Sequence, residues 1–298
     1  MEIDIVDAAG VAPFAASLAE LERSITYPID DGQDRFFIDH GEGYHRFFST
    51  MGPSYFAIAH ERGRVVGVLA GANRDVDWCG RRLPSFYLGD LKVAKEHRGE
   101  RLVERMVLRA LARIPFDARL RHWRVAYGAA MRDARGDVMK SSHRLHPLRL
   151  LRPLARLALY FEAPEKLARL DAGGCPAPPK GAGADLSATS GAAPLVVSTA
   201  GRKDLRLVST GAPWPLSHLP RGPSAWGASW GRYLAEAGAS LAAEGSRAQA
   251  CFAIDDRLAD HVAWLEAEGA RPGAVCTLYA LAPALPPPAW VHLSTAEI

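Results

Sequence analysis

Apolar residues recur along the chain at two spacings. "EIDIV" near the start alternates apolar and acidic side chains, as a half-buried strand does, and "VAPFAASLAELERSI" then places its apolar residues at helical spacing. Two β-rich runs follow, Tyr55 to His60 and Arg64 to Gly71, joined by the short "ERGR", which predicts an antiparallel hairpin. "NRDVDWCGRR" reads as a loop, "LPSFYLGDLKV" as a third strand, and about Glu100 to Ala112 as a helix with Leu102, Met106 and Ala110 on its apolar face and Arg101, Glu104, Arg105 and Arg109 on others. "HWRVAYGAA" and "ARLALYFEA" predict two more strands.

The pattern lapses from Ala172 to Ala193, "AGGCPAPPKGAGADLSATSGAA", where almost no large apolar residue is available to a core. It predicts a division into residues 1–165, a linker or surface loop at 166–194, and a C-terminal α/β unit at 195–298. That last unit reads strand, helix, strand, helix, strand, from "LRLVST" through "SWGRYLAEAGASLAAEG", "AQACFAID" and "DRLADHVAWLEAEGA" to "AVCTLYALA". The order matches the second half of the first part, as in a partial internal duplication.

Composition narrows the possibilities. With 48% hydrophobic and 23% charged residues over 298 positions, the chain has material for a sizeable core. A net charge of +3 is too mild for a nucleic-acid partner, which calls for a basic stripe with interleaved aromatics. The four cysteines are far apart and form no CxxC pair, and the acidic start "MEIDIVDAAG" is unlike a signal peptide. No apolar run reaches the about 18 residues of a membrane span. A cytoplasmic protein with no membrane partner is the expectation.

The stretch "LKVAKEHRGERLVERM", Leu91 to Met106, runs from strand through a turn into helix. Such a junction offers unpaired N–H groups and the positive end of the helix dipole, a seat for a phosphate. Together with the hairpin "FAIAHERGRVVGVLAG", the strand "YLGDLKV" and the helix "KEHRGERLVERMVLRAL", it resembles the GNAT superfamily of N-acetyltransferases over roughly Met1 to Ala163; the C-terminal part is similar in element order only. The resemblance implies an α/β fold: a GNAT-like mixed, mostly antiparallel central sheet flanked by helices, plus a C-terminal degenerate GNAT-like unit.

The family's turn pattern Q/R-x-x-G-x-G/A falls on Arg98, Gly99, Glu100, Arg101, Leu102 and Val103. Arg98 agrees, Gly99 fits the frequent form RGxGxG, and Arg101 and Val103 stand where the motif has glycines. Glycine lets the backbone approach a pyrophosphate without a Cβ in the way. An arginine there carries a guanidinium suited to a phosphate oxygen.

By resemblance the co-substrate is acetyl-CoA or another acyl-CoA, with no metal. Its pyrophosphate would sit on this turn and its pantetheine arm along Leu91 and Val93. The implied reaction moves the acyl group to a primary amine of a small molecule or a protein lysine, which needs a neutral amine, a polarised carbonyl and an acid for the departing thiolate. Asp90, Tyr87 and His97 are the candidate bases. The family's YxxxGF signature is not recognisable, which leaves Tyr160 and Tyr127 as candidate acids.

Two other functions compete: a catalytically inactive GNAT-fold binding or regulatory module, suggested by Arg101 and Val103, and a long-chain N-acyl amino acid synthase-like enzyme. Each residue also has a structural reading: Asp90 as an ion-paired strand residue, Tyr87 as a half-buried strand aromatic, His97 as exposed. The run "KSSHRLHPLRLLRPLARL" is broken by Pro147 and Pro153 and reads as short helix, loop and strand entry. Trp214, Trp226 and Trp230 suit core packing more than a pocket wall. His40 and His45 lie near Asp39 without the HExxH spacing of a zinc site, and no GxSxG, P-loop or GxGxxG occurs.

Overall fold

The computed structural model describes all residues except 30–33, 118–119, 134–135, 138–146, 188–193 and 224–229. Trp226, the start of the basic run and the end of the Ala/Gly/Pro-rich stretch lie outside the described residues. The N-terminal part contains β1 (Glu2–Asp7), α1 (Ala15–Ser24), β2 (Tyr27–Ile29), β3 (Asp34–Asp39), α2 (His45–Ser49) and β4 (Ser54–Glu61). It continues through β5 (Arg64–Trp78), β6 (Arg81–Val93), α3 (Leu102–Arg113), β7 (Val125–Asp133), β8 (Gly136–Asp137), β9 (Arg152–Glu162) and α4 (Pro164–Leu167). Then come β10 (Ala184–Asp185), β11 (Asp204–Leu207), β12 (Pro213–Trp214), β13 (Leu216–His218) and α5 (Trp230–Ala243). The chain ends through β14 (Gln249–Asp255), α6 (Ala259–Ala267), β15 (Pro272–Leu281) and β16 (Val291–His292).

One large sheet runs β1-β4-β5-β6-β7-β15-β9-β14-β13. Its neighbours are antiparallel except β6 with β7 and β13 with β14. Each parallel pair is joined through a helix, α3 in the first case and α5 in the second. The second pair opens with β13, and not with "LRLVST" as expected from the sequence: Asp204–Leu207 is β11, which pairs with β3 in a separate sheet. β5 is buried without a break from Val65 to Ala72 because both faces of the sheet are covered. The expected loop at Asn73 to Arg82 is instead the tip of the β5–β6 hairpin, turning at Cys79 and Gly80 with φ of 53° and 75°. The reason lies in its own pattern: Arg74, Val76 and Trp78 are buried and Asp75 and Asp77 exposed, a two-residue period.

Two apolar cores lie against the sheet. One joins α1, α2 and α3 to the strands β4 to β7; Leu102 and Met106 of α3 close over Gly67, where a Cβ would meet Leu102 at 3.2 Å. The other gathers Tyr160, Trp230, Tyr233, Phe252 and Trp264 around α5 and α6. The large sheet takes strands from both sides of residues 166–194. β15 lies between β7 and β9, and β10 within that stretch pairs with β5 and β16. A second sheet, β12-β11-β3-β2, also joins the two parts, setting Asp204 of β11 opposite Asp39 of β3. No described helix is long and apolar enough to cross a membrane.

Candidate functional site

β6 and β7 are paired only from Ser85 with Val125 to Leu88 with Gly128. Beyond that point each follows its other neighbour, β6 along β5 to Val93 and β7 along β15 to Met131. The two parallel strands therefore part, and among the described residues the Gly89–Val93 segment has no strand paired to it on that side. Gly128 stands at the point of parting. A Cβ there would lie 2.5 Å from the Leu88 carbonyl oxygen, so the close approach requires glycine.

From Val93 the backbone enters the turn before α3. Gly99 and Arg101 both have positive φ, 91° and 57°. Arg101 thus holds a glycine-like left-handed conformation in spite of its Cβ, a strain of about 1 kcal/mol. Its guanidinium folds back along the helix, Nε 2.6 Å from Glu104 Oε2 and Nη2 2.5 Å from Oε1. Arg98 Nε donates to the Val93 carbonyl at 3.2 Å, and the His97 ring lies 2.9 Å from Glu100 Oε2. Leu102 is buried and Val103 half-buried against the core, so their side chains turn inward while the first helical N–H groups point out of the helix end.

Asp90 stands in a bulge: Ala70 pairs with Gly89 and Val68 with Lys92, so Asp90 and Leu91 together oppose Leu69. With φ of 52°, Asp90 shifts the phase of β6, placing Tyr87, Gly89 and Lys92 on one face. A buried polar cluster forms there. Lys92 Nζ lies 2.5 Å from Asp90 Oδ1 and 2.9 Å from Glu22 Oε1; His40 Nδ1 is 2.5 Å from the same Glu22 oxygen, and Tyr44 donates its hydroxyl proton to Asp90 Oδ2. Burial pushes the Asp90 carboxyl upward, but the Lys92 ammonium, His40 and the Tyr44 hydrogen bond outweigh it and hold it below the usual range. Burial likewise disfavours the Lys92 ammonium and is outweighed by Asp90 and Glu22, so its pKa is raised. Glu22, His40 and Asp90 each place one ligand-type atom within 4.8 Å of the others, but the Lys92 ammonium already supplies a cation to both carboxylates.

The end of the chain covers this face of the sheet. Tyr87, buried, donates its hydroxyl to the Glu297 carbonyl at 2.8 Å, and Arg74 Nη1 lies 2.7 Å from Glu297 Oε2. Burial raises the Glu297 carboxyl and outweighs Arg74. His218 holds Thr295, Nδ1 to Oγ1 3.0 Å. The β3–β11 register brings Lys203 beside His40's end of β3, where its ammonium donates to the Ile298 carbonyl and lies 4.5 Å from the centre of the Phe47 ring. Burial lowers the Lys203 pKa and Asp90 partly restores it, leaving it at about 8.

Of the residues singled out from sequence, Asp90, Tyr87, Leu91, Val93 and the turn from Arg98 to Val103 converge on the parting of β6 and β7. Tyr160 does not: it is on β9, three strands from β6, about 14 Å across the sheet at the usual strand spacing. There it stacks on Phe252 with centroids 5.1 Å apart, and burial raises its pKa to about 12. Tyr127 is nearer, but its hydroxyl is committed to the Leu186 carbonyl at 2.8 Å. Glu22, His40, Tyr44, Lys203 and Glu297 carry little sequence signal, being isolated polar residues on different elements. Lys92 offers one, a lysine between the apolar Leu91 and Val93.

No protein-family model matches the chain, and no curated protein matches it by sequence. Among solved structures it is similar to Saccharomyces cerevisiae N-myristoyltransferase with bound myristoyl-CoA. One such structure gives 12% identity over 94% of this chain and 79% of that one, TM-score 0.52; another gives 12% over 93% and 82%, TM-score 0.50. The likeness is one of fold, and the fold is the GNAT fold expected from the sequence.

Proposed function

We propose that the chain is an N-acyltransferase that moves an acyl group from acyl-CoA to a primary amine. The observation that carries this reading is the parting of β6 and β7 beside the Asp90 bulge, continuous with the N-terminus of α3. A pantetheine arm adds to the open Gly89–Val93 edge as an extra strand would, through backbone hydrogen bonds. The pyrophosphate takes the N–H groups between Gly99 and Val103, with Arg98 and Arg101 at its flanks. The donor class is in keeping with the like-folded yeast enzyme, which holds myristoyl-CoA.

In this reading a backbone N–H at the bulge polarises the thioester carbonyl. The amine nitrogen bonds to the carbonyl carbon, the C–S bond breaks, and the proton lost by the amine passes to Lys203 and on to the CoA thiolate. Lys203 suits the task because an amine titrating near 8 is part neutral at working pH. Asp90, tied to Lys92 and Tyr44, holds the bulge in shape. Tyr87 anchors the chain's last turn over the site, and Tyr160 packs the second core.

Calorimetric titration with acetyl-CoA, octanoyl-CoA and myristoyl-CoA, followed by CoA release with a panel of amines, tests the proposal. Binding near micromolar, about −8 kcal/mol, weakening as salt rises, is expected for at least one chain length, with CoA released by an amine. No binding at any length overturns it. Binding without release by any amine favours the inactive module, the reading that Arg101 and Val103 first suggested.

A further inference from the structure

Among the arginines that meet carboxylates, Arg74 differs from Arg101 and Arg257 in the edge of its guanidinium that is used. Arg101 grips Glu104 with Nε and Nη2, the side edge of its guanidinium, and Arg257 grips Asp255 with the same two nitrogens at 2.9 and 2.6 Å. Arg74 meets Glu297 through Nη1 alone, and its Nε and Nη2 have no hydrogen-bond partner among the described residues. This edge is no surface group: the Arg74 side chain is 2% exposed. A buried guanidinium with two unmet donors is costly, and the edge left open is the one whose geometry matches a carboxylate bidentately.

Its position bears on the reaction. Arg74 pairs with Ser85, one step along the same face from Ala72 with Tyr87. That step is about 7 Å along the strand, and Tyr87 in turn leads to Gly89 and the bulge. Arg74 also lines a cavity of about 180 Å³ with Asn73, Asp75, Ser85, His122 and Trp123. The one acid in that lining, Asp75, is engaged by Arg82 at 3.0 Å and does not compete for Arg74.

We infer that the Nε/Nη2 edge of Arg74 is the receptor for a carboxylate on the acceptor, so that the acceptor is an amino acid or a short peptide with a free carboxylate rather than a simple amine. This rests on the acyltransferase reading. Both nitrogens are enclosed in this structure, so the ligand reaches them by displacing the Thr295–Glu297 turn, whose carboxylate holds Nη1.

The test compares acceptors that differ only in the carboxylate: each of a panel of amino acids and dipeptides against its C-terminal amide, scored by CoA release from the acyl-CoA that binds. The wild-type chain is expected to favour the acid over the amide by at least about tenfold in kcat/KM. Arg74→Gln should remove that preference while leaving acyl-CoA affinity in place. Since Arg74→Gln strands a buried Glu297, the double variant Arg74→Gln with Glu297→Gln, which loses both charges together, is measured beside it and should show the same loss. Acyl-CoA binding with equal rates on acid and amide, or with release only by amines lacking a carboxylate, overturns the inference and leaves the acyltransferase standing. Acid preference that survives in a folded double variant also overturns it. Failure to bind any acyl-CoA overturns both readings.

Discussion

Lys92 and Asp90 meet at the bulge in β6, their charged atoms 2.5 Å apart, and the bulge turns Lys92 to the face that carries Tyr87 and Gly89. With Glu22 on α1 also 2.9 Å from the ammonium, one cation balances two buried carboxylates. Removing it leaves two uncompensated charges in the core. Lys92→Met is therefore expected to cost about 3–5 kcal/mol, read by urea denaturation. The triple variant with Asp90→Asn and Glu22→Gln should recover part of that loss, since the stranded charges go with it.

Gly128 marks where β6 and β7 separate. Gly128→Ala sets a Cβ 2.5 Å from a backbone carbonyl, so the strands must move. A loss of about 1–3 kcal/mol is expected, with weaker acyl-CoA binding by calorimetry. Gly99→Ala is the comparison: a Cβ there meets nothing within 4 Å, but φ of +91° remains. It should lose only about 1 kcal/mol from the backbone. Equal acyl-CoA affinity in Gly128→Ala and the parent would detach the parting of the strands from ligand binding.

Much of this architecture could be read from the chain because it is local. The β4–β5 hairpin, β6, the turn and α3 each declare themselves in consecutive residues, and the candidate site residues from Leu91 to Val103 follow from them. The polar cluster could not be read, for two physical reasons. A two-residue period puts Lys92 and Tyr87 on opposite faces, and a single left-handed residue, Asp90, reverses that. Likewise nothing in the neighbourhood of Lys203 points to His40; the β3–β11 register, Asp39 opposite Asp204, joins them. Tyr160, one of the two candidate acids by sequence, is separated from β6 by the insertion of β15 between β7 and β9.

Arg101 takes the conformation a glycine would take, and its side chain is engaged with Glu104. Arg101→Gly therefore relieves the backbone strain and gives up an ion pair whose arginine is 57% exposed and which is worth little. Stability by denaturant titration should rise or stay within about 1 kcal/mol. Acyl-CoA affinity separates the two roles of the side chain: a gain marks Arg101 as an obstacle above the turn, and a loss that deepens at low salt marks it as a phosphate ligand.

Lys203 ties the proposed proton transfer to stability. Its folded-state pKa of about 8 lies below the ordinary 10.5. Below pH 8 the folded and unfolded chains both carry the proton, and the folded one bears the penalty of enclosing the ammonium. Between about 8 and 10.5 the folded chain has released a proton that the unfolded chain still holds, so stability rises with pH across that window and levels off above it. Lys203→Met should remove that rise from the denaturation profile. The same titration governs catalysis if Lys203 takes the amine's proton: kcat/KM should climb through pH 8 in the parent, and the variant should lose about 10²–10⁴-fold in rate together with the inflection. A variant that keeps the inflection near 8 would assign that titration to the acceptor amine and remove Lys203 from the proton path.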